Sequence, residues 1–539
     1  MKIRNILLTI ALALPAASFG QGLTNQMLLH PPSDSWPMYN GDYTGRRFSP
    51  LKIINDTNVQ NLSLDWMATV NGGTPADGGG GGRGGGGMVR VAGTPLLVNG
   101  FLYFTATDNA WCVDARTGRE MWHYYRQAHG DEPTTSNRGF GMYGNWLYFM
   151  TRDNFLVSLD ATTGKQRFIV PVADPRQYYF STVPPMVIGN HIIVGTGGDS
   201  LDIPGFLQAR DPETGDVQWT RYSQPRAGEP GIETWPDEYA AAHGGGGPWI
   251  PGTYDPELNL YYYGTGNPNP LFASQSRKGA DLYTCTIMAI NPDTGKIAWY
   301  FQASPHDTHD WDAVETPIIF DAVIDGKPRK LLAQASRNGY FFVMDRTNGK
   351  SIGVSVPFGD SVNWAKGVDA KGQPIPNPEK EPTLSGVLVS PSTGGVTNWP
   401  PPAYNPNTGL FYVNANQGYS VYYLTDTDDH PEGYGGKEAQ AGSGGPSELK
   451  ALDIKTGKPR WTHQGGAGAL LTTAGNLLFG SIGSNLVAFN AADGKILWHA
   501  GMLGAPNAPI TYMLDGKQHV LVIVGSTIYT FVLNGPPVK

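Results

Sequence analysis

The sequence predicts an all-β fold, an eight-bladed β-propeller built from four-stranded antiparallel blades. The 539 residues include 71 glycines and 43 prolines, together with 14 Trp, 26 Tyr and 20 Phe, and only 16% of them are charged. This composition is typical of many short strands joined by tight turns. A short turn motif also recurs seven times along the chain, as expected for a repeat architecture.

Each copy of the motif usually has an apolar residue, then Asp or Asn, two or three turn-forming residues, a Gly, and an aromatic residue four positions later. Asp or Asn can accept hydrogen bonds from the turn amides, and Gly can take the positive φ angle. The aromatic residue falls on the next strand, where it can pack between sheets. The copies are VDARTGREMW (113–122), LDATTGKQRF (159–168), RDPETGDVQW (210–219), INPDTGKIAW (290–299), MDRTNGKSIG (344–353), LDIKTGKPRW (452–461) and FNAADGKILW (489–498).

Seven units of about four strands follow from these motifs, because an alternating apolar run with its own turn precedes each copy. The last run, 509–533, predicts three strands without the motif, and 61–70 predicts a lone strand. Pairing these two segments would complete an eighth blade and leave no exposed edge. We therefore expect a single domain over 21–539, closed by that pairing.

Long insertions interrupt the repeat at 223–248, 267–281, 354–396 and 423–448. Loops of this length in a compact domain are usually functional or disordered. The run GGGGGRGGGG at 78–87 is interpreted as a flexible linker, because so much glycine cannot pre-order a phosphate-binding turn.

The N-terminus has the pattern of a secretory signal peptide. Two basic residues precede an apolar run from Ile6 to Leu14, then Pro15 and small residues, so residues 1–20 are the expected signal and cleavage would follow Gly20. A short membrane anchor is the alternative, but the apolar run is shorter than the ~20 residues that a spanning helix needs. We expect a periplasmic or secreted protein with no membrane span after cleavage.

Charge and cysteine content exclude several classes of partner. The formal net charge is −8 and there is no basic run, so nucleic acid is not an expected partner. Cys112 and Cys285 lie far apart in strand-like contexts and are expected to be buried free thiols. Because there is no CxxCH motif, we expect no covalently attached haem.

The segment SPHDTHDWDAVE, 304–315, is unusually polar for this chain. In an extended conformation Asp310 and Asp312 would share one face, and two such carboxylates repel unless a cation lies between them or one is protonated. Oxygen ligands suit a hard cation such as Ca²⁺. A site for a softer metal using His306 and His309, or a polar turn without a ligand, is also compatible with the pattern.

The chain resembles the pyrroloquinoline quinone (PQQ)-dependent alcohol dehydrogenases, the quinoprotein family that includes methanol dehydrogenases. The resemblance covers nearly the whole chain after residue 33, and the repeated turn motifs match the tryptophan-docking motifs of that family. The segments that carry it most specifically are GGGGPWIPGTYDPELNLYYYGTGNPNPLF (244–272), ASPHDTHDWDAVETP (303–317), SRNGYFFVMDR (336–346) and NWPPPAYNPNTGLFYV (398–413).

The resemblance implies a set of site residues. Asp310 matches the catalytic base of the family, and Asp312 matches the extra aspartate of its lanthanide-using branch. The metal ligands implied for Ca²⁺ or a lanthanide are Asn267, Asp310, Asp312 and, if the turn shifts register, Asp199. The residues implied to contact PQQ are Arg138, Thr182, Trp249, Arg337, Asn398 and Trp399.

Three departures from the family concern the cofactor. The region before Arg138 lacks the adjacent cysteine pair of the family, and Ser200 and Ala92 replace a metal-ligating and a cofactor-contacting glutamate. These departures leave two main functions open. The first is an exported PQQ-dependent dehydrogenase that oxidises alcohols or similar small substrates and passes electrons to a separate acceptor such as a cytochrome c. The second is a cofactor-less propeller that binds a ligand or protein. A hydrolase or lyase using His306 or His309 is a third possibility.

Overall fold

The computed structural model describes residues 22–72, 90–126, 128, 137–177, 179–197, 202–440 and 447–534. The predicted signal peptide, the glycine run at 78–87, and Asp199 and Ser200 lie outside the described residues. Within them the chain is a succession of β-sheets, and the all-β prediction is confirmed. The α-helices are two single turns, α1 (Asn25–Leu29) and α2 (Glu238–Ala242). No helix in the described part of the chain has both the length and the apolar content needed to span a bilayer.

The first two thirds of the chain contribute the strands of sheets 1 to 5, after two N-terminal strands that pair with strands of the last third. Each of these sheets has four antiparallel strands in sequence order. The N-terminal strands are β1 (Phe48–Ser49) and β2 (Leu62–Thr69). Sheet 1 contains β3 (Leu96–Val98), β4 (Phe101–Ala106), β5 (Asn109–Asp114) and β6 (Glu120–Tyr125); sheet 2 contains β7 (Gly141–Tyr143), β8 (Trp146–Met150), β9 (Phe155–Asp160) and β10 (Gln166–Pro171); sheet 3 contains β11 (Met186–Ile188), β12 (His191–Gly195), β13 (Phe206–Arg210) and β14 (Val217–Tyr222); sheet 4 contains β15 (Thr253–Asp255), β16 (Leu260–Gly264), β17 (Thr286–Ile290) and β18 (Ile297–Gln302); sheet 5 contains β19 (Ile318–Ile324), β20 (Lys327–Ala335), β21 (Tyr340–Asp345) and β22 (Lys350–Pro357).

The last third of the chain contributes sheets 6 to 8 and the strands of two insertions. The insertions carry β23 (Ala365–Val368), β24 (Pro374–Pro376), β25 (Val387–Val389), β28 (Ser420–Leu424) and β29 (Gly436–Gln440). Sheet 6 contains β26 (Ala403–Asn405), β27 (Leu410–Asn416), β30 (Ser447–Asp453) and β31 (Pro459–Gln464); sheet 7 contains β32 (Leu471–Thr473), β33 (Leu477–Ile482), β34 (Asn485–Asn490) and β35 (Ile496–Gly501); sheet 8 contains β36 (Ile510–Leu514), β37 (Lys517–Val524) and β38 (Thr527–Leu533). Strand β2 pairs antiparallel with β38 and gives sheet 8 its fourth strand, and β1 adds in parallel to β32.

Burial falls from the first strands of a sheet to the last. All residues of β4 and β5 are buried, whereas the fourth strands β10, β14 and β31 contain only half-buried and exposed residues. The fourth strand is therefore the outer edge of its sheet, and the core lies between the inner strands of neighbouring sheets.

The repeated motif joins each sheet to the next. In all seven copies Gly has a positive φ, as predicted for this turn. In six of the seven copies an aromatic ring of one sheet packs on the Gly of the following sheet; a Cβ at Gly295, for example, would lie 2.6 Å from the Trp219 ring. Gly457 faces Val356 instead. The indole N–H then donates to a backbone carbonyl of that following sheet, in the pairs Trp66–Ala115, Trp122–Ala161, Trp219–Pro292, Trp299–Arg346, Trp461–Ala491 and Trp498–Leu62.

Candidate active site

The predicted site residues lie in loops at one edge of the sheets. Arg138, Thr182 and Trp249 precede β7, β11 and β15, and Asn267 and Arg337 lie between the second and third strands of sheets 4 and 5. In a four-stranded antiparallel sheet, the loop before the first strand and the loop between the second and third strands open on the same side. The topology therefore gathers side chains from distant parts of the sequence.

The segment 304–315, for which the sequence suggested an extended conformation, instead lies in a turn that spans 304–317. His306 and Asp310 have positive φ angles of 51° and 70°, so the two-residue alternation of faces does not hold. The Oδ2 atom of Asp307 accepts the backbone N–H groups of Asp310 and Trp311, at 2.9 and 3.0 Å. Burial raises the pKa of Asp307 to about 6, although the Trp311 N–H and the Arg277 charge oppose this shift. Asp307 thus fixes the conformation in which Asp310 is presented.

Arg337 is the cation between the two carboxylates of this turn. Its Nη2 atom lies 2.7 Å from Oδ2 of Asp310 and its Nη1 atom lies 3.2 Å from Oδ2 of Asp312. Burial disfavours the charged guanidinium, but Asp310, Asp312 and Glu315 together outweigh burial and raise the pKa of Arg337. The Asp310 side chain keeps 25% of its surface exposed, whereas that of Asp312 keeps 1%. Asp310 is therefore the carboxylate that can meet a small molecule.

Asp312 connects the turn to Trp249 and Asn267. Its Oδ2 atom accepts the Trp249 indole N–H at 2.7 Å, and its Oδ1 atom accepts the backbone N–H of Asn267 at 2.7 Å. Burial raises the pKa of Asp312, and Arg337 and these N–H groups oppose that shift. The Oδ1 atom of Asn267 is buried and has no hydrogen-bond partner among the described residues. A buried amide oxygen in this state is a ready ligand for a hard cation.

Arg138 lies between two aromatic rings. Its guanidinium carbon is 4.9 Å from the ring centroid of Trp249 and 5.0 Å from that of Trp399. The Nε and Nη1 atoms are buried without a hydrogen-bond partner in the described part of the chain, and burial lowers the pKa of Arg138 to about 10. Its backbone N–H donates to Thr182, whose hydroxyl donates to the Trp249 carbonyl. An unpartnered buried guanidinium between flat rings favours a planar anion as ligand.

Asn398, which the resemblance implies to contact PQQ, is held within its own loop. Its side chain bonds within its own loop, donating to the Gly394 carbonyl and accepting the Trp399 N–H at 2.8 Å. It therefore orients Trp399, while Trp399 itself reaches Arg138. The structure thus brings together Arg138, Thr182, Trp249, Asn267, Asp310, Asp312, Arg337 and Trp399; Asp199 is outside the described residues.

The two histidines of the segment do not form a site of their own. The His309 ring stacks on Trp311 at 4.3 Å, and its Nε2 atom lies 2.8 Å from the Lys380 carbonyl. Burial lowers the pKa of His309 to about 3, so the ring is neutral. His306 points away toward Asp281, with Nδ1 3.3 Å from Oδ2. This arrangement does not support hydrolase or lyase chemistry, nor a soft-metal site using both rings.

The electrostatics of the site include two groups that sequence reasoning missed. Glu315 is buried beside Arg337, and burial raises its pKa to about 8. Arg277 is fully buried, pairs with Asp281 at 2.6 Å and donates to the Asp307 carbonyl at 2.6 Å. Arg277 and Asp281 lie four residues apart in an insertion, and this spacing of opposite charges is too common in sequences to indicate a buried ion pair. Among the described residues no three His, Cys, Asp or Glu side chains group closely enough for a metal, so an amide oxygen such as that of Asn267 would have to complete a cation site.

The cysteines are free and buried, as predicted. Burial raises the pKa of the Cys285 thiol well above its ordinary value, and the carboxylates of Asp307, Asp312 and Asp310 add to this shift. Cys285 is therefore a neutral group packed beneath the site rather than a nucleophile.

Comparisons with known proteins cover almost the whole chain. A family model described as the glucose/ethanol/alcohol dehydrogenase β-propeller domain matches residues 36–384, and a second, described as outer membrane protein assembly factor BamB, matches 428–531. The quinoprotein alcohol dehydrogenase PedH of Pseudomonas putida is 36% identical over 567 residues, which cover 96% of this chain and 91% of that protein.

Two solved structures share the fold over the same extent. The quinohemoprotein alcohol dehydrogenase from Comamonas testosteroni gives a TM-score of 0.85 at 30% identity and covers 96% of this chain and 83% of that one. A europium-containing methanol dehydrogenase gives 0.80 at 28% identity, with 94% and 99% covered. On this extent of similarity, the chain belongs to the PQQ-dependent alcohol dehydrogenase family of quinoproteins.

Proposed function

We propose that the protein is an exported PQQ-dependent dehydrogenase that oxidises an alcohol or a similar small substrate, with Ca²⁺ or a lanthanide beside the quinone. The observation that carries the proposal is the continuous network from Asp310 through Arg337 and Asp312 to Trp249 and Asn267. It joins a partly exposed carboxylate, a buried carboxylate, an unpartnered amide oxygen and a flat aromatic ring. These are the groups that alcohol oxidation on a metal-bound quinone needs.

The residues present fit a planar, anionic cofactor and a hard cation. Trp249 offers a ring face, and the unpartnered donors of Arg138 and the charge of Arg337 suit carboxylate groups. Asn267, Asp310 and Asp312 supply oxygen donors only, which suits Ca²⁺ or a lanthanide. When bound, PQQ supplies a two-electron oxidant and the metal ion acts as a Lewis acid.

The chain's own residues divide the remaining work. Asp310 accepts the proton of the substrate hydroxyl as general base, because it is the accessible carboxylate of the turn. Arg337 holds Asp310 in place and offsets its charge, and Asp307 fixes the backbone on which Asp310 sits. Asp312 orients Trp249 and the Asn267 segment. Asn398 positions Trp399, whose ring also packs on the Arg138 guanidinium.

The architecture is proposed to be a closed ring of eight blades. Each of the eight sheets contains four antiparallel strands, and sheet 7 has the parallel β1 in addition. The pairing of β2 with β38 and the indole contacts of Trp66 and Trp498 on either side of sheet 8 also support a closed ring. Residues 1–20 would direct export to the periplasm or outside the cell. Electrons would pass to a separate acceptor such as a cytochrome c, since the chain has no haem-attachment motif.

A second candidate is a cofactor-less member of the family that binds a ligand or a protein. The observation that favours it is the Arg337 bridge, which already neutralises Asp310 and Asp312 without a metal. Ala92, Ser200 and the missing cysteine pair also remove groups that would contact a cofactor.

Reconstitution tests the proposal. Purified mature protein is titrated with PQQ plus Ca²⁺ or La³⁺, and cofactor absorbance and reduction of an artificial dye with ethanol are measured. The comparison variant is Asp310→Asn, since Asn tolerates the positive φ of this position; the control is Glu120→Gln, an exposed change on β6. We expect both variants to bind PQQ, and dye reduction to fall at least 100-fold in Asp310→Asn only. Absence of PQQ binding with either metal would contradict the proposal and favour the cofactor-less alternative.

A further inference from the structure

A cavity of about 450 Å³ lies against the site on the side of the Asn267 loop. Its inner wall includes Asn269, Pro270 and Arg277. Asn269 approaches Asn267, with Oδ1 3.5 Å from the Asn267 Nδ2 atom, and Arg277 donates to the Asp307 carbonyl. The cavity therefore adjoins both segments that carry the proposed metal and base residues, and its volume falls in the range of small-molecule sites.

The inner end of the cavity holds an unsatisfied donor. Asn269 is 2% exposed, and its Nδ2 atom has no hydrogen-bond partner among the described residues. A buried amide N–H₂ calls for an acceptor such as a hydroxyl oxygen. Arg277 does not compete for that acceptor, because its donors are already bonded to Asp281 and to three backbone carbonyls.

The outer part of the cavity carries net negative charge. Asp202, Asp237 and Glu432 line it, and the Arg277 charge is matched by Asp281 and so does not offset them. Asp202 accepts the Gly433 N–H at 2.7 Å, which ties the loop after residue 201 to the insertion at 423–448. Burial raises the pKa of Asp202, and the charge of Glu432 adds to this shift. A cation beside these carboxylates would lower the pKa again, because it stabilises their charged forms.

Aromatic rings complete the outer wall. Tyr239 on α2 is 65% exposed and stands with its ring centroid 4.1 Å from that of His243 and 6.4 Å from that of His430. Aromatic faces together with carboxylates are the usual recognition elements for organic ammonium groups. These rings come from the insertions at 223–248 and 423–448.

We propose that this cavity is the substrate entrance and that it selects alcohols that carry a positively charged amino group. The hydroxyl end faces Asn269 and the adjoining site, and the ammonium end lies among the carboxylates and Tyr239. The inference rests on the proposed dehydrogenase function and adds a substrate class to it.

The test uses a matched pair of alcohols of the same shape, choline and the neutral 3,3-dimethylbutan-1-ol. Binding of each is measured by calorimetry on the mature protein, both with and without PQQ and Ca²⁺, and dye reduction is measured with the loaded protein. We expect choline to bind at least tenfold more tightly than the neutral alcohol and to have the higher kcat/KM. The difference should shrink at high salt.

Variants locate the effect in the cavity. Asp202→Asn keeps an acceptor for the Gly433 N–H and tolerates the positive φ of 51° at this position, and Glu432→Gln and Tyr239→Leu alter exposed side chains. We expect the Asp202→Asn, Glu432→Gln pair to weaken choline binding about tenfold and to leave the neutral alcohol unchanged, and Tyr239→Leu to weaken choline binding several-fold. The control Glu120→Gln should change neither.

The two readouts separate the two claims. Equal binding of both alcohols, or choline binding that the variants do not weaken, overturns the cavity inference even if the neutral alcohol is oxidised. Choline binding that depends on these residues, without oxidation of either alcohol by the loaded protein, contradicts the dehydrogenase function and supports the cation selectivity of the cavity.

Discussion

The carboxyl group of Glu315 is buried next to Arg337. It is 2% exposed, and both of its oxygens lack a well-formed hydrogen bond within the described residues. Burial raises its pKa to about 8 from an ordinary value of 4.5, although the Glu315 and Arg337 backbone N–H groups and the Arg337 charge oppose the shift. The folded protein therefore holds a proton on Glu315 at pH values where the unfolded chain has lost it.

The contribution of Glu315 to the stability of the metal-free protein should fall as the pH rises through this window. Between about pH 4.5 and pH 8 Glu315 holds its proton in the folded state and has lost it in the unfolded state, so its contribution to the free energy of unfolding decreases with pH. At 1.36 kcal/mol per pH unit, the contribution of Glu315 is on the order of 4 to 5 kcal/mol.

Glu315→Gln should remove that part of the pH dependence. Urea unfolding at pH 5 and pH 9 in the presence of a chelator measures the free energy of unfolding of both proteins. We expect the variant to be more stable than the natural protein at pH 9 and to differ little from it at pH 5. A stability difference between the two proteins that is the same at both pH values would show that Glu315 is not held neutral by burial.

Arg337 is expected to act as a built-in counterion for Asp310 and Asp312. Arg337→Gln leaves two carboxylates without their cation and should lower the free energy of unfolding of the metal-free protein by about 3 kcal/mol. Added Ca²⁺ should restore more stability to this variant than to the natural protein, because a cation then replaces the missing charge.

Urea unfolding with a chelator measures the loss of stability caused by the change, and unfolding with Ca²⁺ measures the stability that the cation restores. The matched control is Arg329→Gln, an exposed change on β20 of the same sheet. If Ca²⁺ stabilised Arg337→Gln and the control equally, the carboxylates would not be a cation site.

At the scale of elements, the sequence was most informative where one physical requirement repeats. The Gly of each turn motif needs a positive φ and the aromatic residue needs a partner sheet, so the motif predicted both local structure and packing. The turn at 304–317 was not predictable in the same way. Its positive φ angles at His306 and Asp310 accompany a local turn, in which the Asp307 carboxylate accepts the Asp310 and Trp311 N–H groups, and a distant bond from the His306 N–H to the Ala280 carbonyl. A strand-like alternation was therefore the wrong expectation.

The candidate site likewise contains residues that the sequence could indicate and residues that only the folded structure shows. The acidic segment 304–315 drew attention to Asp310 and Asp312, and the family resemblance implied Trp249, but the bonds of Asn398 within its own loop are encoded by no motif. Glu315 and the Arg277–Asp281 pair were missed because their significance comes from burial beside residues far away in sequence. The cavity at α2 is likewise assembled from two insertions whose conformations have no repeat to predict them.

A substitution at Gly295 tests whether the turn glycines are needed for packing between sheets as well as for turn geometry. Gly295→Ala places a Cβ 2.6 Å from the Trp219 ring at a φ of 65°, whereas Gly326→Ala has a φ of 75° with nothing within 4 Å. Both changes incur the backbone strain of about 1 to 2 kcal/mol, so Gly295→Ala should be more destabilising than Gly326→Ala by about 2 kcal/mol from overpacking. Chemical denaturation compares them, and equal losses would mean that the close ring contact is unimportant.

For the whole molecule, the pairing of β2 with β38 unites the two ends of the described chain in sheet 8. Trp66 on β2 donates to the Ala115 carbonyl of sheet 1 at 3.1 Å, and Trp498 of sheet 7 donates to Leu62 at 3.0 Å. Sheet 8 is therefore held on both sides by the indole contact that also links four of the six other pairs of neighbouring sheets.

A closed ring should unfold as one unit, so damage at the closing strand should lower the stability of the whole. We expect Trp66→Ala to reduce the free energy of unfolding by about 2 kcal/mol within a single transition, and Met67→Ala, a change at a 51% exposed residue of the same strand, to have little effect. Denaturation followed by fluorescence and by circular dichroism would show this; two separate transitions would contradict closure.

A single turnover without dye tests most directly whether Asp310 drives alcohol oxidation at this site. Protein loaded with PQQ and Ca²⁺ or La³⁺ is mixed rapidly with ethanol or choline, and the absorbance of the oxidised quinone is followed in the natural protein and in Asp310→Asn. We expect the natural protein to reduce one equivalent of quinone per chain and the variant to retain the bound quinone in its oxidised form. Quinone that stays oxidised in the natural protein, or that is reduced equally fast in Asp310→Asn, would contradict the proposed function.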